Sequence, residues 1–251
     1  MTKNVLRLEG VGKSFGSRKV LSGVSFSIAR GELVALIGPS GSGKSTLLKM
    51  IARQLFPDEG AIWVDDKKVG EFKQSKDFAK RVGILSQSLD LVEELSVLNN
   101  VLIGRMNEWG ALRSLCSLLV PQDRGTAMEA LQKMGIADKA REKTMTLSGG
   151  EKQRVAFARL LVQNPELVLA DEPISSLDPT RANDVLSLLT GMAKNHGITL
   201  LTSLHSVEHV RKYFSRAIGI SNGSLRFDLP IAELSGQMLE ELYQKREEAD
   251  A

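Results

Sequence analysis

Residues 33–52 combine three features that together restrict how the chain can fold. The continuous apolar run "LVALI" is typical of a short strand that is buried on both faces. The Gly-rich segment "GPSGSGKS" follows it directly, beginning at Gly38, and leads into "TLLKMIA", whose apolar residues have helical spacing. A buried strand, a glycine turn and a helix in this order indicate an α/β protein. We expect the helix to begin near Lys44.

The glycine segment also matches the pattern G-x-x-x-x-G-K-[ST], which predicts a phosphate site. Glycines let the backbone wrap around phosphate oxygens, and the positive end of the helix dipole adds to the attraction. We expect Lys44 to reach the β- and γ-phosphates and the Ser45 hydroxyl to ligate Mg²⁺. The residues expected to surround the phosphates are Gly38, Ser40, Gly41, Ser42, Gly43, Lys44, Ser45 and Thr46.

The segment "ELVLADEP" supplies two adjacent acids at the end of a second buried strand. Asp171 is placed to hold Mg²⁺ directly or through water. Side chains alternate along a strand, so the side chain of Glu172 should point the other way. Glu172 is therefore the candidate for orienting, or taking a proton from, the water that attacks a γ-phosphate.

Composition excludes several other classes of protein. The formal net charge is +3, and Lys and Arg are not clustered as in a nucleic-acid binder. Cys116 is the single cysteine, so an intramolecular disulfide and a Cys-rich zinc site are both excluded. The charged, alternating N-terminus is unlike a secretory signal. Because no window approaches the roughly 20 apolar residues of a spanning helix, we expect a chain that does not cross a membrane by itself.

The segment "TLSGGEKQRVAFARLLVQNPELVLADEP" carries the most specific pattern in the chain. Ser148, Gly149 and Gly150 form a short glycine turn that opens a helix and offers a second anion site. Together with the phosphate loop and the two acids, this segment resembles the nucleotide-binding subunit of ATP-binding cassette (ABC) transporters, and the resemblance covers essentially the whole chain. It implies a P-loop NTPase core with an antiparallel β subdomain and an inserted helical subdomain.

We interpret the chain as a single nucleotide-binding domain on this basis. Strand and helix patterns alternate before and after a stretch with mostly helical periods. We therefore assign residues 1–87 and 147–251 to the core with its β subdomain, and residues 88–146 to the helical subdomain.

The resemblance assigns roles to four further residues. Phe15 occupies the position where the family stacks an aromatic ring on adenine. Gln87 matches the glutamine that contacts Mg²⁺ and the attacking water, and His205 matches the histidine that contacts the γ-phosphate. Asp178 matches the loop that crosses the dimer interface. With Glu172, the implied catalytic residues are Gln87 and His205, and the implied metal ligands are Ser45, Gln87 and Asp171.

The resemblance also implies partners and a location. Two copies would form a head-to-tail homodimer around ATP, in which Ser148, Gly149 and Gly150 of one chain face the phosphate loop of the other. The membrane path would come from two separate permease subunits, with a periplasmic or lipid-anchored substrate-binding protein acting indirectly. The chain would then lie peripherally on the cytoplasmic face of the inner membrane, with no nucleic acid among its partners.

The segment "NVLIGR" and the late "AIGISNGSLRFDLP" look like those of phosphonate-importer ATPases. The departures "LSGGEKQ", "SLHSVEH" and "FDLP" touch no inferred catalytic group, and they leave other cargoes open. The alternatives are phosphite or another small oxyanion, an amino acid, a lipoprotein or an exported compound. A non-transport ABC ATPase would need inserted coiled coils, zinc modules or a second cassette. A metabolic P-loop kinase would lack "LSGG" and an equivalent of His205.

Residues 98–119 contain an apolar stripe that has two interpretations. Its members recur every three or four residues, as on one face of a helix: Leu98, Val101, Leu102, Met106, Trp109, Leu112, Cys116 and Leu119. Each could belong to the subdomain core or to a surface that docks a membrane subunit. The stripe lies between Gln87 and Ser148 in the chain, so we expect the segment to pass a nucleotide signal to a membrane partner.

Overall fold

A computed structural model of the chain describes residues 3–86, 88–106, 123–175 and 177–244. The strands in these residues are β1 (Asn4–Phe15), β2 (Arg18–Ala29), β3 (Leu33–Ile37), β4 (Glu59–Val64), β5 (Lys67–Lys68), β6 (Val82–Leu85), β7 (Leu167–Asp171), β8 (Thr199–Leu204), β9 (Arg216–Ser221) and β10 (Ser224–Pro230). The helices are α1 (Lys44–Ile51), α2 (Ser75–Ala79), α3 (Val97–Leu102), α4 (Arg124–Lys133), α5 (Gly149–Gln163), α6 (Pro179–His196), α7 (Val207–Tyr213) and α8 (Gly236–Gln244).

The first of two compact units comprises residues 1–72 and 167–251 and contains two sheets. The first sheet is antiparallel, in the order β2-β1-β4-β5. In the second, β3 lies between β8 and β9 and pairs with both in parallel, β8 pairs in parallel with β7, and β10 is an antiparallel neighbour of β9. These sheets confirm the predicted α/β class with an antiparallel β subdomain.

Burial explains why β3, β7 and β8 are the central strands of the second sheet. All residues of β3 and β8, and all of β7 except its last, are buried, as expected for parallel strands covered on both faces. Since the strands are parallel, their carboxyl ends meet at one edge of the sheet. That edge is where α/β proteins bind ligands, and here it carries the loops that follow Ile37, Asp171 and Leu204.

The second compact unit comprises residues 73–166, and α3, α4 and α5 pack together in it. Asn100 is fully buried in this unit: its side-chain oxygen accepts from the Val92 N–H at 2.8 Å, and its amide donates to the Thr144 hydroxyl at 2.8 Å. A Cβ on Gly104 would lie 2.5 Å from the Arg159 carbonyl oxygen, so the glycine permits the close approach of α5. The predicted helical subdomain 88–146 lies within this unit, and its functional boundaries remain a prediction.

The apolar stripe divides in the structure. Leu98, Val101 and Leu102 are buried, and they belong to the core of the second unit. The side chain of Met106 is 42% exposed. Trp109, Leu112, Cys116 and Leu119 lie outside the described residues. No helix in the described ranges has the length and apolar character needed to span a bilayer.

Candidate active site

The phosphate loop depends on two glycines that no other residue could replace without movement of the backbone. Gly38 has φ +150°, and a Cβ there would lie 1.9 Å from the Ile220 carbonyl oxygen on β9. Gly43 has φ +105°, and a Cβ there would lie 2.6 Å from the Leu21 side chain. The loop therefore packs against its own unit on one side, and its backbone conformation is available only to glycine.

Helix α1 begins at Lys44, as predicted, and Gly43 at its N-cap provides no side-chain cap. The first N–H groups of a helix have no partner within the helix, so this end favours an anion. The Lys44 ammonium donates to the carbonyl oxygens of Gly38 at 2.8 Å and Pro39 at 3.0 Å. Burial lowers the pKa of Lys44, and the nearby carboxylates of Glu172 and Asp171 oppose that effect. The loop thus places a buried ammonium group beside the open helix end.

Asp171 lies at the end of β7, where two hydroxyls converge on its carboxylate. The Ser45 hydroxyl donates to Asp171 Oδ1 at 3.1 Å, and the Ser203 hydroxyl donates to the same oxygen at 2.7 Å. Ser203 also accepts a hydrogen bond from the backbone N–H of Glu172 at 2.8 Å. The buried Ser203 hydroxyl therefore fixes both the carboxylate of Asp171 and the backbone N–H of Glu172.

Glu172 has a left-handed backbone, with φ +48°, which is costly for a residue with a side chain. Its Oε1 lies 2.7 Å from Nε2 of His205, which directly follows β8. The side chains of Glu172 and His205 are 32% and 40% exposed, so the pair faces solvent on one side. The structure therefore brings Lys44, Ser45, Asp171, Glu172 and His205 together, with the pair open to an incoming ligand.

The donor set fits Mg²⁺. Hard oxygen ligands suit this ion, which usually takes one or two protein ligands and completes its shell with water and substrate phosphates. Ser45 and Asp171 offer a hydroxyl and a carboxylate at hydrogen-bond distance from each other. Within the described residues, no group of three or more His, Cys, Asp or Glu side chains could form an all-protein cage. The Ser45–Asp171 pair could therefore hold Mg²⁺ together with water and substrate phosphates.

The glycine turn at Ser148 lies in the second unit and opens α5. Ser148 and Glu151 form a capping box: Glu151 Oε2 accepts from the Ser148 N–H at 2.8 Å, and the Ser148 hydroxyl accepts from the Glu151 N–H at 3.4 Å. The Lys139 ammonium and then the Ser148 groups lower the pKa of Glu151 to about 2. A Cβ on Gly149 or Gly150 would meet no atom within 4 Å, so open space lies beside this turn.

Three further residues are predicted to belong to the site: Phe15, Asp178 and Gln87. Phe15 is 49% exposed at the end of β1, with the Lys13 ammonium 5.6 Å from its ring centre. Asp178 is the N-cap of α6 and accepts from the Arg181 N–H at 3.1 Å. Gln87 lies outside the described residues. The roles assigned to these three residues, like those of the other predicted site residues, stay predictions.

Ser203 is a site residue that the sequence reasoning missed. It is fully buried, and it is the register partner of Asp171 in the parallel pairing of β7 with β8. The only signal in the sequence is its place two residues before His205 on a buried strand. That signal identifies Ser203 only when the pairing of β7 with β8 is already known.

The chain is similar to a known protein family and to curated proteins over most of its length. The family model described as "ABC transporter" matches residues 21–175. A curated relative from Rhodopseudomonas palustris (strain BisB5), "Phosphonates import ATP-binding protein PhnC", is 44% identical over 241 residues. The alignment covers 95% of this chain and 89% of the relative.

Solved structures with similar folds are described as ATP-binding cassettes or as parts of ABC transporters. One is cbiO1 from Clostridium perfringens, described as part of the ABC transporter complex cbiONQ; it has a TM-score of 0.78 and 28% identity, and the match covers 92% of this chain and 90% of cbiO1. Another is a dimeric post-hydrolysis state of the cassette MJ0796 bound to ADP and Pi; it has a TM-score of 0.74 and 28% identity, with 90% and 98% of the two chains covered.

Proposed function

Since the chain belongs to the ABC transporter family, we propose that it is the ATP-hydrolysing subunit of an importer. The observation that carries this proposal is the cluster at the carboxyl ends of β3, β7 and β8. There a phosphate loop with a buried ammonium lies beside the Ser45–Asp171 pair and the Glu172–His205 pair. Each group has a separate task in phosphoryl transfer.

In this proposal, the backbone N–H groups of the loop and Lys44 bind the triphosphate. Ser45 and Asp171, with Gln87, would hold Mg²⁺, which when bound neutralises charge on the β- and γ-phosphates. Glu172 orients the attacking water and accepts its proton, as the exposed face of its carboxylate allows. The His205 contact at 2.7 Å holds that carboxylate in place and brings an imidazole to the γ-phosphate side.

A second copy of the chain would complete each site. The Ser148 turn presents helix N–H groups beside open space, which is what a bound triphosphate from another chain requires. Asp178 and Phe15 would contact the partner chain and the adenine ring, respectively. The dimeric ADP- and Pi-bound cassette MJ0796 supports this arrangement by similarity.

Membrane subunits would provide the transport path, and the chain would lie on the inner face of the membrane through them. The cbiONQ complex is a precedent for such an assembly. The segment 99–119 is the proposed docking region, and Met106, whose side chain is 42% exposed, is the described residue in it that is best suited to a test. A Met106→Asp substitution should uncouple ATPase activity from transport while basal hydrolysis is retained. Unchanged transport in reconstituted vesicles would contradict this assignment.

We propose phosphonate as the cargo class, on the strength of the 44% identical relative. The "NVLIGR" segment is weaker support for this cargo. The buried hydrogen bonds of Asn100 and the close approach of α5 at Gly104 are structural reasons for those two residues, whatever the cargo. Phosphite or another small oxyanion remains the second candidate.

The complex purified from native membranes and placed in vesicles distinguishes these cargoes. Methylphosphonate should stimulate ATP hydrolysis more than phosphite or sulfate does. Stimulation by another oxyanion alone would contradict phosphonate as the cargo class. A complex that hydrolyses no ATP would contradict the proposed ATPase function.

A further inference from the structure

The turn that follows Gln87 in the chain has an unusual backbone. Leu89 and Asp90 both have left-handed conformations, with φ +61° and +46°, and each is disfavoured for a residue with a side chain. The Asp90 carboxylate accepts from the hydroxyls of Ser86 and Ser88, both at 2.6 Å. The turn is therefore folded around its own carboxylate, at a cost that its surroundings must offset.

Arg159, on α5, holds this turn by hydrogen bonds to the backbone of the turn. The Arg159 guanidinium donates from Nη1 to the Asp90 carbonyl oxygen and from Nη2 to the Leu89 carbonyl oxygen, both at 2.7 Å. Burial lowers the pKa of Arg159, and the negative charge of Asp90 partly opposes this lowering. A planar fork with two parallel donors suits two neighbouring carbonyls, and a lysine cannot reproduce it.

A second link ties the same segment to the beginning of α5. The Lys152 ammonium lies 2.6 Å from Glu93 Oε1, and the Glu93 carbonyl oxygen accepts from the Met145 N–H at 3.0 Å. Residues 88–95 are thus attached both to the helix and to the segment that leads into it.

Helix α5 connects these attachments to the Ser148 turn. Arg159 lies eleven residues after Ser148, about 16 Å along a helix that rises 1.5 Å per residue. The turn beside Gln87 and the Ser148 turn are therefore fixed to one rigid element. Under the proposed function, Gln87 serves the ATP of its own chain, and Ser148 serves the ATP of the other chain.

We propose that Arg159 is a positioning residue that couples the two ATP sites of the dimer, by holding the turn at Leu89 and Asp90 to the helix that begins at Ser148. This inference rests on the proposed function. A shift of either turn when nucleotide binds is carried by α5 to the other, so occupation of one site changes the geometry of the second.

The experiment measures ATP hydrolysis by the full-length chain across a range of ATP concentrations. Two sites limit the Hill coefficient to 2, and we expect wild-type protein to lie clearly above 1. Arg159→Gln should bring the coefficient to about 1, and Arg159→Lys should give an intermediate value. Arg154→Gln is the matched control, because Arg154 lies on the same helix and donates to the Met134 carbonyl oxygen at 2.8 Å. It should keep the wild-type coefficient.

Three results would overturn the proposal: a wild-type Hill coefficient of 1, an unchanged coefficient in Arg159→Gln, or an equal loss in Arg154→Gln. The last would mean that any damage to α5 has the same effect, and thermal unfolding of both variants identifies such damage. Wild-type protein that hydrolyses no ATP would instead refute the proposed function, and this inference would fall with it.

Discussion

Replacing Ser203 by alanine tests the central arrangement of the site with a change of one atom. The hydroxyl is fully buried and makes two hydrogen bonds: it donates to Asp171 Oδ1 at 2.7 Å and accepts from the Glu172 N–H at 2.8 Å. Alanine leaves the strand and its register unchanged, so the effect comes from these two bonds.

The expected magnitude follows from the partners of the hydroxyl. A hydrogen bond to a charged group contributes about 1.5–3 kcal/mol, and a buried N–H left without a partner costs about 1–3 kcal/mol. Ser45 remains on Asp171 at 3.1 Å, so the two losses do not add fully. We expect a loss of about 3 kcal/mol in the free energy of unfolding, which corresponds to a fall in Tm of roughly 6–12 °C.

The same substitution should also lower kcat. Glu172 has a disfavoured backbone conformation, and without Ser203 its backbone N–H loses the hydrogen bond that anchors it, so the residue can shift although its carboxylate still contacts His205. Misplacement of a reacting group by about 1 Å can cost roughly a hundredfold in rate, whereas the phosphate loop keeps its contacts. Calorimetry should therefore show ATP affinity close to that of wild type.

Thermal unfolding and steady-state ATPase assays check both effects, with Ser215→Ala as the control. Ser215 lies in the same unit and donates to the Leu33 carbonyl oxygen at 3.2 Å. A Ser203→Ala protein that unfolds at the wild-type temperature and hydrolyses ATP at the wild-type rate would contradict this role for Ser203.

Two further predictions concern charged groups. Lys44→Ala should weaken ATP binding at least about tenfold, because a charged hydrogen-bond donor to the phosphates is lost; Lys49→Ala, on the exposed face of the same helix, should bind normally by calorimetry. Glu151→Gln should be less stable than wild type at pH 7. Since the folded-state pKa of Glu151 is about 2, below its ordinary 4.5, this stability is present above pH 4.5 and is lost as pH falls towards 2. Melting curves that keep a constant gap over this range would contradict the assignment.

Local patterns predicted the parts of the site that depend on neighbouring residues in the chain. The strand, glycine turn and helix from Leu33 to Ile51 follow from burial and spacing, and α1 begins at Lys44 as predicted. Asp171 closes a buried strand for the same reason.

Tertiary pairings could not be predicted in this way. Ser203 becomes a partner of Asp171 only through the register of β7 with β8. Arg159 reaches the backbone of Leu89 and Asp90 across 70 and 69 residues of chain, which no local period encodes. The stripe beginning at Leu98 predicted a shared helix face, which α3 confirms for Leu98, Val101 and Leu102; the spacing alone could not show which residues solvent reaches.

The most direct test of the account is ATP turnover by Glu172→Gln. Glutamine keeps the shape of the side chain and can still bond to His205, but it cannot accept a proton from water. We predict that the variant binds ATP with near wild-type affinity and forms a stable dimer on size exclusion with ATP. Its single-turnover hydrolysis should be slower by about a hundredfold or more, the contribution of a general base. Hydrolysis at the wild-type rate would contradict the account.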